Sequence, residues 1–345
     1  MDITRRQFSQ SFTFLMFSKA FERLGYYAMR AILVLYLVDV ANGPGWQHAD
    51  ALELYATFTI VVLACQLLGG LLADLLLGTR KVLLLGAAAL LLGNALLATG
   101  EAAVVYPGVG LIALGSGCSA SSHLALIGQL FCERQEKLDS ALILNSFLIN
   151  LAAMLSGILV GIAISQYSWS GGFLFAALAQ LLSLGCILFI LGKLPAVTGA
   201  RSLDADASDW PKRDLLWIIA VLAVGALSMF VGDLHLDGLQ ADSLLISNGS
   251  IIVMALALIF FGPLFWFKPS ASIPKLLLIV ALYILAYFCS GLISDPDSAM
   301  VWLFVVAAGL VQALLYPLAM SVLLQRANPK YLTTTLAVAA MLLSA

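Results

Sequence analysis

The chain has 345 residues, of which 62% are hydrophobic and 10% charged, and a mean hydropathy of +1.03; a soluble domain carries about 45–50% apolar and about 25% charged residues, so a water-soluble globular fold is excluded. A net charge of −2, from 17 Lys and Arg against 19 Asp and Glu, supplies no basic field for nucleic acid. Three His and five widely spaced Cys with no Cys-x-x-Cys pair form no metal or disulfide framework, and no metal or other cofactor is expected.

About 20 apolar residues cross the roughly 30 Å of bilayer hydrocarbon. Runs of that kind, separated by polar punctuation, predict eleven membrane-spanning helices at 11–38, 54–77, 82–100, 103–131, 140–164, 171–192, 214–233, 247–267, 275–294, 299–325 and 331–345, the last cut short. The first holds Lys19, Glu22, Arg23 and Arg30 and has no small-residue cleavage site, so it reads as a retained span and not as a leader peptide. Fourteen of the 17 Lys and Arg fall in connections on one side, and the other three lie inside the first helix. The positive-inside rule then places the N-terminus in the cytoplasm, in a multi-pass protein of the cell (inner) membrane.

Residues 193–213, KLPAVTGARSLDADASDWPKR, are a polar connection with two prolines after the sixth span. They read as a cytoplasmic linker between an N-terminal six-helix bundle, 1–192, and a C-terminal bundle, 214–345, of five helices. The expected fold class is an all-α polytopic membrane protein of two helical bundles, six and at least five helices. It is similar to the two-repeat plan of the major facilitator superfamily, whose twelfth helix is absent from these residues.

Charges inside spans are costly, so they point to a partner or to a water-filled cavity. Arg23 and Arg30 are seven residues apart, on nearly one face of the first helix, with Tyr26 and Tyr27 between them and Glu22 beside them. Two cations, a phenol pair and a carboxylate suit a ligand with a carboxylate and a peptide-like backbone; the alternative is an internal ion-pair cluster. Asp233, His235 and Asp237 read as a solvated loop, and Gly157 with Gly161 as a close-packing pair. No Ser/His/Asp or paired-carboxylate arrangement suggests an enzyme.

The stretch Phe21-Glu22-Arg23-Leu24-Gly25-Tyr26-Tyr27-Ala28-Met29-Arg30 resembles the first-helix signature of the proton-dependent oligopeptide transporters. The likeness continues in Gly69-Gly70-Leu71-Leu72-Ala73-Asp74 to Gly78-Thr79-Arg80-Lys81, in Gly115-Ser116-Gly117, in Gly128-Gln129-Leu130 and in Ile149-Asn150-Leu151. The resemblance implies alternating-access transport of short peptides with protons, with the lipid bilayer as the other partner. Carried over, Arg23, Tyr26, Tyr27, Arg30, Asn150 and Gln312 would line the substrate site. Glu22, Arg23 and His123 would serve proton coupling, and Gly70, Asp74, Gly78, Arg80, Lys81 and Arg134 would form a cytoplasmic gate, Asp74 lying near Arg134 and the start of the eleventh span. The chain departs from the pattern at Lys19, Leu63, Ala120, Ser146, Ala223 and Gln312, where the family carries acidic, basic or aromatic groups. These losses imply two alternatives: a carrier that is uncoupled or differently coupled, or a non-transporting membrane component. His123, one turn and about 60° from Ala120, is expected to face Glu22 and Arg23, or else to be buried neutral against Ser119 or Ser122.

Overall fold

A computed structural model of the protein describes residues 5–194, 272–290, 314–327 and 331–344. Among these residues all regular structure is helical. The helices are α1 (Arg5–Val38), α2 (His48–Leu72), α3 (Thr79–Ala98), α4 (Val105–Leu130), α5 (Leu138–Ile190), α6 (Ser272–Ser290), α7 (314–326) and α8 (Leu332–Ser344). The expected spans 214–233 and 247–267, most of the linker and the Asp233–Asp237 loop lie outside the described residues.

Among the described residues, four continuous helical stretches are long and apolar enough to cross a membrane: His48–Leu77, Thr79–Ala98, Ala102–Leu130 and Gln135–Ile190. The last, 56 residues, is more than twice the length one crossing needs. It breaks at Tyr167 and Ser168, where Ser168 takes φ +61°, ψ −167°, a conformation that side-chain-bearing residues rarely adopt. The break falls in the polar gap between the fifth and sixth apolar runs and makes α5 two spans. α1 is also long, at 34 residues, but its internal charges set it apart from the uniformly apolar helices. α2 begins at His48 and not near 54, because Asp50 in its first turn complements the helix dipole and lets the helix continue past the apolar run.

Large apolar side chains such as Leu174, Leu178, Leu181, Leu182, Leu188 and Phe189 are about half exposed along the second arm of α5, as expected of a face turned to lipid. The opposite faces close on glycine. A Cβ at Gly117 would lie 2.5 Å from the Cys65 backbone, one at Gly69 2.6 Å from Cys118 Cα, and one at Gly93 2.6 Å from the Gly108 carbonyl. α4 therefore packs backbone-to-backbone against both α2 and α3, where any side chain would force the helices apart. For Gly157 and Gly161 a Cβ meets nothing within 4 Å among the described residues.

The chain packs as two compact units. One comprises Met1–Leu130, Leu148–Asp206 and Pro329–Val338; the other comprises Phe131–Phe147, Ala207–Asn328 and Ala339–Ala345. In the first, Tyr26, Met29, Leu33, Tyr36, Phe58, Leu90, Ile112 and Phe173 form a continuous buried core. In the second, the start of α5 meets the start of α6 and the end of α7 around Asp139.

Candidate functional site

α1 carries two charged residues, Lys19 and Glu22, on buried turns. Glu22 is 3% exposed and Lys19 5% exposed. Glu22 Oε2 is held by the Lys19 ammonium, one turn earlier, and Oε1 accepts from Arg23 Nη2 at 2.5 Å and Nε at 3.1 Å. Arg23 Nη2 also donates to Ser116 Oγ on α4 at 3.2 Å. Gln180 Nε2, on the second arm of α5, donates to the Glu22 backbone carbonyl at 2.9 Å. The approach is close because Gly25 has no side chain; a Cβ there would lie 2.7 Å from the Ala176 carbonyl and from Gln180 Nε2.

One face of the helix runs on from this cluster. The Arg23 guanidinium carbon sits 4.8 Å from the centroid of the buried Tyr26 ring and the Arg30 carbon 5.7 Å from it, so one phenol is flanked by both cations. Such contacts favour a cation by about 0.5–2 kcal/mol as water is removed. Tyr27 packs edge-on to Tyr26 at 5.6 Å. Arg30 Nε and Nη2 both donate to Tyr55 Oη on α2, at 2.9 and 2.6 Å, and its guanidinium lies 5.2 Å from that ring. Arg30 is half-buried.

The structure thus brings Glu22, Arg23, Tyr26, Tyr27 and Arg30 into one contiguous chain of contacts and adds Lys19, Ser116, Tyr55 and Gln180, none of which was expected there. Lys19 could have been found from its three-residue spacing to Glu22. The remaining three join from other helices, and only the fold reveals them. Asn150 is half-buried in α5, and Gln312 lies outside the described residues. His123 is 1% exposed, so it does not face lipid. It sits seven residues after Ser116 and so on the same face of α4, two turns from the Arg23 contact. The Ser119 hydroxyl donates to the Ser116 carbonyl of its own helix, at 3.3 Å.

Of the residues expected to form a gate, Gly70, Asp74, Gly78, Arg80 and Lys81 lie at the end of α2 and the start of α3. Asp74, in the π-helical turn Ala73–Leu77, is fully buried. Its Oδ1 accepts from the Thr333 amide at 3.1 Å, and its Oδ2 from the Thr334 amide at 2.7 Å and hydroxyl at 2.8 Å. A carboxylate from a distant segment therefore caps the N-terminus of α8, satisfying donors the helix cannot satisfy itself. Gly70 permits the approach, since a Cβ there would stand 2.9 Å from Thr334 Cα. Gly78, at φ +82°, turns the chain into α3 through a backbone region open to glycine alone. Arg80 is half-buried, Lys81 exposed, and Arg134 half-buried in the turn after α4.

A third polar cluster, in the other unit, had no signal in the sequence beyond a charge at the edge of a run. Asp139 is 1% exposed in the first turn of α5. Its Oδ1 accepts from Ser272 Oγ at 2.7 Å and Ser321 Oγ at 2.5 Å, and its Oδ2 is paired with the Lys275 ammonium. Gln325 Nε2 donates to both serine hydroxyls, at 3.0 and 3.1 Å.

Comparison with known proteins follows the same lines. The family model of the Major Facilitator Superfamily matches residues 16–345. Dipeptide and tripeptide permease A of Proteus mirabilis is 29% identical over 246 residues, covering 70% of this chain and 49% of the permease. The permease of the same name from Escherichia coli is 31% identical over 174 residues, 50% of this chain and 34% of the permease. The chain spans about half or less of the length of these curated relatives. Among solved structures, a peptide transporter POT in complex with sulfate superposes with a TM-score of 0.60 at 19% identity, over 96% of this chain and 87% of that one. A human organic anion transporter does so with 0.67 at 16% identity, over 97% and 90%. At such identities the structural likeness speaks for the fold.

Proposed function

This chain belongs to the major facilitator superfamily, and from that premise we propose that it is a carrier of short peptides or peptide-like solutes working by alternating access. The bundles 1–192 and 214–345, joined by the cytoplasmic linker 193–213, are the moving parts in this reading, and the N-terminus is cytoplasmic. Arg23, Tyr26, Tyr27, Arg30, Asn150 and Gln312 hold the solute in this reading. Gly70, Asp74, Gly78, Arg80, Lys81 and Arg134 form the cytoplasmic gate, in which Asp74 grips the start of α8.

The carrying observation is the pair of guanidiniums flanking Tyr26 inside a membrane-spanning helix, a costly arrangement with the chemistry of a peptide carboxylate site. The names of the similar permeases support the peptide class.

A second reading concerns coupling. Proton symport follows from family resemblance, with Glu22 and Arg23 as its groups and His123 standing in for the lysine lost at Ala120, yet both Glu22 carboxylate oxygens are engaged by cations, Lys19 and Arg23. Adding a proton there would break two buried ion pairs, and this favours a carrier that is uncoupled or differently coupled. Purified protein in liposomes, given a dipeptide panel with and without an inward proton gradient, tests both readings. Uptake in either condition supports the carrier, and uptake that ignores the gradient supports the second reading. No uptake of any peptide by correctly folded protein would overturn the first.

A further inference from the structure

The charges of the first apolar run, 11–38, do not balance. Lys19, Arg23 and Arg30 oppose one carboxylate, Glu22, leaving two positive charges in the span. Elsewhere in the eleven apolar runs the carboxylates are Asp74, which caps α8, and Asp214 and Asp233, which stand at the two ends of their run. Glu22 is already saturated by Lys19 and Arg23. Arg30 spends two donors on a single neutral phenol oxygen, that of Tyr55. A guanidinium has five N–H donors in a planar fork, so the half-buried Arg30 retains three, along with a full charge that no carboxylate among the described residues offsets.

Resting on the carrier reading above, we infer that the solute is an organic anion, a peptide-like carboxylate whose amino end is acylated or absent, and not a free zwitterionic peptide. The solute carboxylate supplies the missing countercharge and takes the remaining Arg30 fork, while Tyr26 and Tyr27 pack against its body. A free ammonium group brings a third positive charge into a site with a surplus of two, and the interaction is repulsive at every distance that low-dielectric surroundings leave unscreened.

Thermal-shift titration of the purified full-length chain in detergent distinguishes the possibilities, using dialanine, N-acetyl-dialanine, dialanine amide and glutarate. N-acetyl-dialanine is expected to bind at least about tenfold tighter than dialanine, with no binding of the amide, which lacks the carboxylate. Arg30→Gln is expected to lower that affinity more than about tenfold, and Arg30→Lys to retain part of it, with ligand-free melting midpoints recorded to confirm folding. Dialanine binding as tightly as its acetylated form would overturn the anion inference and leave the peptide carrier standing. Binding of glutarate with none of the three peptides would overturn the peptide class and keep the anion. Full affinity in folded Arg30→Gln would overturn the assignment to Arg30, and no binding of any ligand would overturn both readings.

Discussion

Glu22 owes its place to its neighbours: a carboxylate 3% exposed in a membrane helix persists because Lys19 and Arg23 neutralise it on both sides. Replacing it by Gln removes the only negative charge in the cluster and leaves two buried cations facing each other. Glu22→Gln is expected to cost about 3–5 kcal/mol, read as a lowered melting midpoint in detergent. Adding Lys19→Met should recover much of that loss, and a double variant no better than Glu22→Gln alone would argue against the pairing. At the far end of α1, Asp39 Oδ2 accepts from the Trp169 indole at 2.6 Å and Oδ1 from the Ala41 amide at 2.8 Å, and these bonds hold its carboxyl below the ordinary aspartate range. A group whose folded-state value is depressed stabilises the fold above its unfolded value and loses that contribution as pH falls through the folded one. The melting midpoint should therefore drop as pH is taken below the ordinary aspartate value, and Trp169→Phe should flatten that dependence. An identical acid slope in the variant would remove the indole contact as its cause.

At the scale of elements, the break in α5 is the one place where the described backbone outside glycine enters positive φ, at Ser168. Ser168→Gly is expected to raise stability by about 1 kcal/mol, because glycine occupies that region without steric cost; a lower melting midpoint would mean that the serine side chain makes a compensating contact. Helices were legible in the sequence to the extent that hydrocarbon thickness dictates run length. The apolar runs of α1 to α5 and the gap at 164–171 could be read from composition because each span must satisfy its own backbone in lipid. Helix ends extending beyond the apolar runs, as at His48, carry no such signature. The packing partners were less legible. Gly157 and Gly161 have the spacing of a helix–helix contact and make none among the described residues, whereas Gly117 and Gly69 make the close approaches without a repeated motif. In the candidate site the α1 members were visible from their charge and 3.6-residue period. Tyr55, Ser116 and Gln180 were not, because they arrive from 25, 93 and 158 residues away and are ordinary residues in ordinary helices.

For the whole molecule, two buried carboxylates of the first 150 residues hold segments from the last 75. Asp74 caps α8, and Asp139 gathers Ser272, Lys275 and Ser321. Removing the charge at Asp139 leaves the Lys275 ammonium, with only 10% of its side chain exposed, without its counterion. Asp139→Asn should cost about 3–5 kcal/mol, and Asp139→Asn with Lys275→Gln distinctly less; additive losses in a double-mutant cycle would argue that the pair is not coupled. The same separations have a consequence for biosynthesis. Asp139 waits 133 residues for Ser272, and Asp74 waits 259 for Thr333. At a ribosomal speed of roughly 5–20 residues per second, that leaves the first carboxylate unmated for about 7–27 s and the second for about 13–52 s. During that interval the nascent chain must shelter two anions whose partners do not yet exist, by keeping the ends of α2 and α5 in contact with water or with an insertion factor.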